Sequence, residues 1–377
     1  MRSGARATPL SALLARRIRE HGPITFAEFM RLCLYDERHG YYSRPEARRF
    51  NDYYTSVDVH PIFGRLLARQ LAEMWQQLGA PPEFCVAEAG AGVGRLAAQI
   101  LDFAARELPD FYAALQYVAV EISPARRAEH ISVLAPHVSA GKTVSSAQLP
   151  ARIPAGCIFS NELLDALPVH RVVAANGALQ EIYVDLDGDD LTERPGPLST
   201  PAIAAYFAAQ SIAFEDGQQA EAGLDACRWI EDAASRLERG FVLTVDYGHE
   251  AGGLYNEDHA RGTLLAYERH RVGENWFDAP GEQDLTAHVN FTALDRWGSR
   301  AGLERTGLVT QSHFLVALAQ ANQLADLDDP GMSEMDRIRA RLLFKTLIHP
   351  EGLGETFHVF IQHKGIEHPR LTGLQRL

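Results

Sequence analysis

Apolar runs and helical patterns alternate along this chain from residue 84 onwards. Residues 84–88 predict a buried strand, and the apolar spacing of residues 95–101 predicts a helix directly after it. Six more strands are expected at 116–121, near 143, 157–160, 241–246, 303–310 and 355–362. Further helical patterns lie at 124–134, 218–238, 292–301, 313–323 and 333–346. This alternation indicates a doubly wound α/β fold built on a seven-stranded sheet.

The residues before the first strand carry helical patterns alone. Leu10, Leu14 and Ile18 recur at helical spacing, and residues 62–78 predict another helix. Between them, Thr25 is a candidate helix cap with Glu28 as its capping-box partner. The first 19 residues hold five arginines and no acid, as mitochondrial presequences do, but the helical spacing favours an ordinary helix of the fold.

Two stretches interrupt the alternation of strand and helix. Asn176-Gly177 lies between strand patterns at 169–173 and 179–184 and predicts a hairpin, after which the chain to residue 217 is rich in Gly, Pro and acids. Residues 250–290 show little periodicity, which is typical of a functional or disordered loop. We therefore expect a helical region at 1–80, a sheet domain at 81–364 with insertions at about 169–235 and 250–290, and a tail at 365–377.

Composition narrows the class of protein. With 377 residues, 46% of them apolar, the chain can bury a sizeable core, and its apolar runs are shorter than the roughly 18 residues of a membrane span. Four scattered cysteines exclude a zinc knuckle, make a disulfide framework improbable and favour a reducing cytoplasm. The net charge of −13 argues against nucleic acid as a partner.

A glycine motif follows the first predicted strand. Glu88 precedes three alternating glycines, Gly90, Gly92 and Gly94, and a helix begins after them. Glycine permits a tight turn and lets a ligand approach the backbone, so a nucleotide-like ligand is expected here. The dinucleotide pattern G-x-G-x-x-G is not met, because Arg95 occupies its third glycine position.

A second carboxylate is expected at the end of the next strand, because a ribose offers two hydroxyls that one carboxylate can accept. Glu121 supplies it, 33 residues after Glu88. The alternative is that both acids are ordinary strand-end charges that face water.

The pattern Glu88-x-Gly90-x-Gly92-x-Gly94 resembles the first motif of class I S-adenosylmethionine-dependent methyltransferases, in which the strand-end acid lies near the methionine amino group. Further blocks stand in the order of one family, the MidA-like methyltransferases, between about residues 9 and 364: 22–30, His39-Gly40-Tyr41-Tyr42, Phe63-Gly64, 161–170, Asp246-Tyr247-Gly248-His249, 283–289 and 345–350. The resemblance implies a seven-stranded class I methyltransferase sheet and S-adenosylmethionine as cofactor. Mitochondrial members of this family assist assembly of respiratory complex I and methylate an arginine of one subunit. A protein substrate, and a respiratory-complex subunit in particular, is therefore implied.

Two positions depart from the family pattern. Thr55-Ser56-Val57-Asp58 stands where the family has Thr-Ser-Pro-Glu, and His288-Val289-Asn290 stands where it has His-Val-Asp. If either position contacts the methyl acceptor, the substrate differs.

Candidate catalytic residues follow the strand at 157–160. In class I methyltransferases the loop after this strand faces the transferable methyl group of the cofactor. Asn161 is expected beside the cofactor. Glu162 and Asp165 lie three residues apart, so on a helical turn they would face the same way and hold a guanidinium. The alternative is that residues 161–165 only cap a short helix.

His249 ends the block that begins at Asp246 and is a candidate general base, or a partly buried hydrogen-bonding residue. The histidines of 250–290 lack zinc-binding spacing, so no metal is predicted. Two other functions stay open: a small-molecule O- or N-methyltransferase, and a non-catalytic assembly factor that retains the fold.

Overall fold

The computed structural model describes residues 6–43, 61–268, 271–325, 327, 333–349 and 354–376. Its helices are α1 (Pro9–His21), α2 (Phe26–Tyr35), α3 (Ile62–Gln77), α4 (Arg95–Glu107), α5 (Pro109–Ala114), α6 (Pro124–Val133), α7 (Ala135–Ser139), α8 (Pro201–Ala208), α9 (Leu224–Arg236), α10 (Ala251–Leu254), α11 (Phe291–Arg300), α12 (Gln311–Ala321) and α13 (Glu334–Ile348). Its strands are β1 (Ile24–Thr25), β2 (Phe84–Ala89), β3 (Leu115–Val120), β4 (Thr143–Ser146), β5 (Gly156–Asn161), β6 (His170–Ala175), β7 (Ala178–Asp187), β8 (Asp190–Gly196), β9 (Gln219–Ala222), β10 (Gly240–His249), β11 (Leu265–Glu268), β12 (Arg271–Gly273), β13 (Asp284–Thr286), β14 (Val289–Asn290), β15 (Glu304–Thr310) and β16 (Phe357–Lys364).

The chain folds into two compact units. The larger comprises the described parts of Tyr54–Leu163, Ile230–Tyr247 and Asp295–Leu377, and the smaller those of Met1–Tyr53, Leu164–Trp229 and Gly248–Leu294. The sequence pattern predicts a boundary near residue 80. The structure instead groups the first helices with both inserted stretches, while α3 and the C-terminal residues belong to the larger unit.

A short eighth strand, β14, pairs in parallel with the last two residues of β10. The other seven strands form the predicted seven-stranded sheet of the larger unit. Its order is β4-β3-β2-β5-β10-β16-β15, with parallel pairing from β4 to β10. Strand β16 runs antiparallel to both of its neighbours. The chain moves outward from β2 towards β4 on one side and continues through β5 on the other, so the strand order reverses between β2 and β5. Ligands of open α/β sheets bind at the carboxyl ends of the strands at such a reversal.

The strands of this sheet are apolar because both faces are covered. Phe84 and Val86 of β2 are fully buried, as are Phe241 and Leu243 of β10. Helix α4 contributes an apolar stripe that includes Ile100 to the same core. Fully burying one such side chain is worth about 1.5–3 kcal/mol, so this core holds the carboxyl ends of β2, β3 and β5 in fixed register.

The smaller unit contains two sheets. One has the order β1-β7-β6-β9 with β8 paired to β7, and the other has the order β12-β11-β13. Its core packs α1 and α2 on these strands through Leu14, Phe26 and Phe29. Asn176 and Gly177 both adopt positive φ, 54° and 75°, so the predicted hairpin is confirmed as a two-residue turn between β6 and β7.

Several elements differ from the sequence prediction. Residues 185–217 continue β7 and add β8 and α8, and the helix expected from residue 218 is preceded by β9. Thr25 caps α2 as predicted, accepting from the N–H of Glu28 at 3.1 Å, but the Glu28 side chain pairs with Arg17. The described residues of 250–290 form α10, a short 3₁₀ helix and the short strands β11 to β14, of which β11 pairs with β12 and β13.

Residues 55–58, one of the two departures from the family pattern, lie outside the described residues. Among the helices that the structure describes, none combines the length and the apolar character needed to cross a bilayer.

Candidate functional site

The glycine turn after β2 adopts the conformation that its sequence requires. Gly90, Gly92 and Gly94 have φ values of 76°, 56° and 87°, a region that residues with a β-carbon enter at a cost. The N–H groups of Gly90 and Ala91 both donate to the carbonyl of Val120, each at 2.9 Å. The turn is therefore fixed to the carboxyl end of β3, next to the position of Glu121.

Space around the three glycines is unequal. A β-carbon on Gly90 would lie 3.0 Å from Cδ1 of Leu163, and one on Gly94 would lie 3.2 Å from Cδ2 of His130. A β-carbon on Gly92 would meet no protein atom within 4 Å. The protein thus fills the space beside the outer glycines and leaves the middle one open, as a cradle for a ligand does.

Glu121 borders this cradle. Its Oε2 accepts from the N–H of Gly92 at 2.9 Å and its Oε1 accepts from the N–H of Ser123 at 2.8 Å. A carboxylate offers about four acceptor positions, so two remain for the hydroxyls of a ribose. Glu121 is only 6% exposed and Glu88 only 3%, which contradicts the alternative of strand-end charges facing water.

Glu88 occupies a buried site at the end of β2. Burial raises the pKa of its carboxyl group to about 7, the hydrogen bond from Tyr117 opposes this rise, and the charge of Glu121 adds to it. The Tyr117 hydroxyl donates to Oε2 of Glu88 at 2.7 Å. A cation bound beside Glu88 would favour the ionised carboxylate, so this acid suits a positively charged ligand group.

His130 of α6 is a residue of this site that the sequence analysis missed. Its Nε2 lies 2.8 Å from the carbonyl oxygen of Gly92, and its Nδ1 lies 2.8 Å from the hydroxyl of Ser145. Because a carbonyl only accepts, Nε2 carries the hydrogen in the neutral ring and Nδ1 accepts from the serine. The ring therefore clamps the middle of the glycine turn, which nothing in the local sequence of α6 indicates.

Glu162, directly after β5, has a left-handed backbone with φ 53°. Its N–H donates to the carbonyl of Val245 at 2.9 Å, and the side-chain amide of Asn161 donates to its Oε1 at 3.0 Å. The structure describes every residue between β5 and β6, and no helix lies among them. The expected helical turn with Glu162 and Asp165 on one face is therefore wrong, and so is the alternative that these residues cap a helix. The left-handed angle of Glu162 lies outside the right-handed region that a helical turn requires.

Asp246 of β10 braces this turn and was also missed as a site residue. It is fully buried, its Oδ2 accepts from the N–H of Leu163 at 3.2 Å, and its Oδ1 accepts from the N–H of Tyr247 at 3.1 Å. An acid that ends an apolar run of the sequence is the same signal that identified Glu88 and Glu121. Applied to β10, it would have found Asp246.

The smaller unit contains Asp165 and His249. Asp165 is 2% exposed, and its carbonyl accepts from the N–H of Ala287 at 3.0 Å. Burial, followed by the charges of Asp165 and Asp284, raises the pKa of Tyr267. Asp165 thus lies in a low-dielectric, acidic environment.

His249, the last residue of β10, has two histidine neighbours. Its ring centroid lies 5.3 Å from that of His259 and 5.4 Å from that of His288. The prediction of no metal relied on spacing along the chain, which could not reveal that these three rings come together.

Asn290, the second departure from the family pattern, is buried in a hydrogen-bond network. Its amide nitrogen lies 2.8 Å from Oε1 of Gln210 and 3.0 Å from the hydroxyls of both Tyr206 and Tyr255. Its Oδ1 accepts from the N–H of Ala293 at 3.0 Å, at the beginning of α11. The amide therefore has a packing role in the smaller unit.

Comparison with known proteins identifies what this architecture resembles. The profile of the S-adenosyl-L-methionine-dependent methyltransferase family matches residues 66–309. The mitochondrial protein arginine methyltransferase NDUFAF7 of Homo sapiens is 29% identical over 398 residues, covering 97% of this chain and 85% of the relative, and its Drosophila melanogaster homolog is 28% identical over 386 residues, covering 95% and 85%. A crystal structure of a Burkholderia thailandensis protein bound to S-adenosyl-homocysteine matches with a TM-score of 0.86 and 29% identity, over 99% of this chain and 98% of that one.

These comparisons also correct one expectation. The scattered cysteines favoured a cytoplasmic location, but the human and fly relatives are named as mitochondrial proteins, so that prediction is wrong. Free cysteines indicate only a reducing environment, and the cytosol is not the only compartment that keeps thiols reduced.

Proposed function

Because the chain belongs to the S-adenosyl-L-methionine-dependent methyltransferase family, it is an enzyme that uses S-adenosylmethionine, and we propose that its acceptor is an arginine nitrogen of a protein. The observation that carries this proposal is Glu162. A carboxylate that is 6% exposed and held by a left-handed backbone stands at the carboxyl end of β5. Such strain costs on the order of 1–3 kcal/mol and persists where function requires it.

Six residues of the larger unit form the proposed cofactor site: Glu88, Gly90, Gly92, Gly94, Glu121 and Asn161. The open space at Gly92 admits the ligand, and Glu121 has acceptor positions left for a ribose. Glu88 offers its carboxylate to the methionine amino group. When bound, S-adenosylmethionine supplies an electrophilic methyl group on a sulfonium, which is already a good leaving group.

The protein then has to position the acceptor nitrogen against the methyl group. Glu162 would accept hydrogen bonds from a guanidinium and fix the nitrogen that attacks, while an acceptor-binding role for Asp165 of the smaller unit stays a prediction. As the nitrogen bonds to the methyl carbon, the carbon–sulfur bond breaks and the sulfur keeps its electron pair. The nitrogen then loses one proton, which the carboxylate of Glu162 can take. A general-base role for His249 stays a prediction. Burial of Glu162 strengthens its pairing with a cation and weakens the case for a neutral hydroxyl acceptor.

Protein arginine is the substrate class that the names of the curated relatives support, and these relatives cover almost the whole chain. A subunit of a respiratory complex is the partner that the family resemblance implies, and we propose that class of protein as the natural acceptor.

The test is transfer of a labelled methyl group. The purified chain is incubated with isotope-labelled S-adenosylmethionine and a lysate of its source cells, and protein and small-molecule fractions are hydrolysed and examined by mass spectrometry. We expect labelled methylarginine in protein, suppressed by excess S-adenosylhomocysteine. Label in the small-molecule fraction would instead make the chain a small-molecule methyltransferase. Absence of label in both fractions would support an assembly factor without turnover.

A further inference from the structure

We propose that His249, His259 and His288 bind one Zn²⁺ ion in the smaller unit. All three side chains are half-buried, and one ring nitrogen from each lies within 4.8 Å of the other two. They come from three places in the chain: the end of β10, the end of the short 3₁₀ helix Glu257–His259, and the residue before β14. Nothing in the proposed methyl transfer requires three histidines to meet.

The arrangement of the rings matches a shared metal ion. Their centroids are 5.3, 5.4 and 5.8 Å apart, and their planes are inclined by 34°, 49° and 73°. Imidazoles bound to tetrahedral zinc at 2.0–2.1 Å would have centroids about 5.2 Å apart and nitrogens about 3.3 Å apart. Two of the three centroid separations are thus within about 0.2 Å of this value. The ring nitrogens, which lie within 4.8 Å of one another, would approach to about 3.3 Å when the ion binds.

A backbone carbonyl selects the ligating nitrogen of His259. Its Nδ1 lies 2.9 Å from the carbonyl oxygen of Gly253, so Nδ1 carries the hydrogen and Nε2 keeps its lone pair. Histidine ligands of zinc usually have such an outer partner, which fixes the tautomer and the ring orientation. Gly253 also packs against His249, where an added β-carbon would lie 3.3 Å from Cβ of His249.

The other two histidines are anchored through the backbone. His249 pairs with Asn290 where β10 and β14 run parallel, and His288 directly precedes β14. The N–H of His288 donates to the hydroxyl of Thr263 at 3.0 Å. Thr263 is in turn held by the buried Glu221, through its N–H at 3.0 Å and its hydroxyl at 3.2 Å. The site is therefore supported by two paired strands and a buried carboxylate.

The ligand set defines the class of ion. Three neutral imidazoles suit a borderline transition ion such as Zn²⁺, whereas Ca²⁺ and Mg²⁺ prefer oxygen ligands. His259 and His288 also line a cavity of about 190 Å³, together with Arg171, Arg261, Glu274 and Trp276. This cavity gives the fourth coordination position access to water or to a small anion, because zinc sites with three protein ligands leave that position open.

Metal binding would change two interpretations. The ion would tie together three points of 248–294, a segment whose secondary structure is short, and so stabilise it against local unfolding. It would also occupy the lone pair that a general base needs, so the two roles of His249 exclude each other.

The experiment uses the full-length chain without a polyhistidine tag. Zinc per chain is measured by mass spectrometry after gel filtration, and the chelator-treated protein is titrated with Co²⁺ as a spectroscopic probe. The key variant is His259→Asn, whose amide can still donate to Gly253 while the ligating nitrogen is lost. His21→Asn is the matched control, because exposed His21 also places Nδ1 against a carbonyl, that of Arg17 at 3.2 Å, in the same unit.

We expect one zinc per chain and the strong visible absorption of four-coordinate Co²⁺ in the wild type and in His21→Asn. His259→Asn should lower metal affinity by more than the tenfold to hundredfold typical of losing an outer partner. Affinity for S-adenosylhomocysteine reports that the larger unit of the variant is folded, and thermal melting of the metal-free proteins reports on the smaller unit. Absence of stoichiometric metal in the wild type, a six-coordinate Co²⁺ spectrum, or equal metal affinity in His259→Asn would overturn the proposal.

Discussion

The carboxylate of Glu121 accepts a hydrogen bond from the backbone N–H of Gly92 at 2.9 Å, so the two parts of the predicted cofactor site, 29 residues apart in sequence, are in direct contact. The acid that should bind a ribose also holds the turn that should admit the ligand. Cofactor binding and the conformation of the glycine turn are therefore expected to change together.

The first prediction concerns Gly92. Gly92→Val should abolish measurable binding of S-adenosylmethionine, because the valine side chain enters the open space of the cradle. The loss of affinity should be well above tenfold, which corresponds to about 1.4 kcal/mol. Gly141→Val is the matched control: Gly141 has φ 68°, and its β-carbon would also meet nothing within 4 Å. Both variants place valine in a left-handed backbone, so thermal melting should show similar strain in each. Calorimetry then shows whether Gly92→Val alone excludes the ligand. Equal affinities would reject the cradle.

A second prediction follows from the raised pKa of Glu88. If the ionised carboxylate pairs with the methionine amino group, the ligand binds only the deprotonated form, so affinity should fall as pH drops below about 7. Well below that pKa the decrease approaches about tenfold per pH unit, because each binding event must release one proton. Titrations with S-adenosylhomocysteine between about pH 5.5 and pH 8 check this. Glu88→Gln should bind weakly and without that slope, whereas an unchanged slope would move the titrating group elsewhere.

His130 provides the third prediction. His130→Leu leaves the carbonyl of Gly92 and the hydroxyl of Ser145 without their partner, and should lower the free energy of unfolding by about 2 kcal/mol. It should also weaken cofactor binding, because the glycine turn loses its clamp. His137→Leu is the control: His137 is similarly buried and contacts Tyr112 and Asp102, which lie outside the turn. A comparable loss of affinity in both variants would show that destabilisation alone weakens binding.

The sequence predicts the glycine turn and the positions of its two acids, because these depend on local chemistry, while binding of the cofactor by these residues stays a prediction. Gly90, Gly92 and Gly94 require backbone angles that glycine alone adopts easily, and Glu88 and Glu121 end apolar strands whose parallel pairing brings them to one edge of the sheet. Each of these features depends on a few neighbouring residues, so the local sequence is enough to predict it.

The missed features depend on contacts across the chain. His130 reaches Gly92 from a helix 38 residues away, and His249, His259 and His288 meet although their spacing matches no zinc motif. Glu162 was placed on a helical turn because spacing of three suggests one, whereas the hydrogen bond of its N–H to Val245 holds it in a left-handed conformation. Contacts between residues distant in sequence determine the positions of these side chains.

Glu162 is expected to hold the methyl acceptor. The most direct measurement is the rate of methyl transfer into protein arginine at saturating cofactor for the wild type, Glu162→Gln and the exposed control Glu107→Gln, with Asp165→Asn as a companion variant. The amide of Glu162→Gln keeps an oxygen for Asn161 and removes only the charge. We predict that transfer falls by about a hundredfold or more, or about 2.7 kcal/mol, in Glu162→Gln while S-adenosylhomocysteine affinity and the control rate are unchanged. Transfer by Glu162→Gln at the wild-type rate would contradict the account.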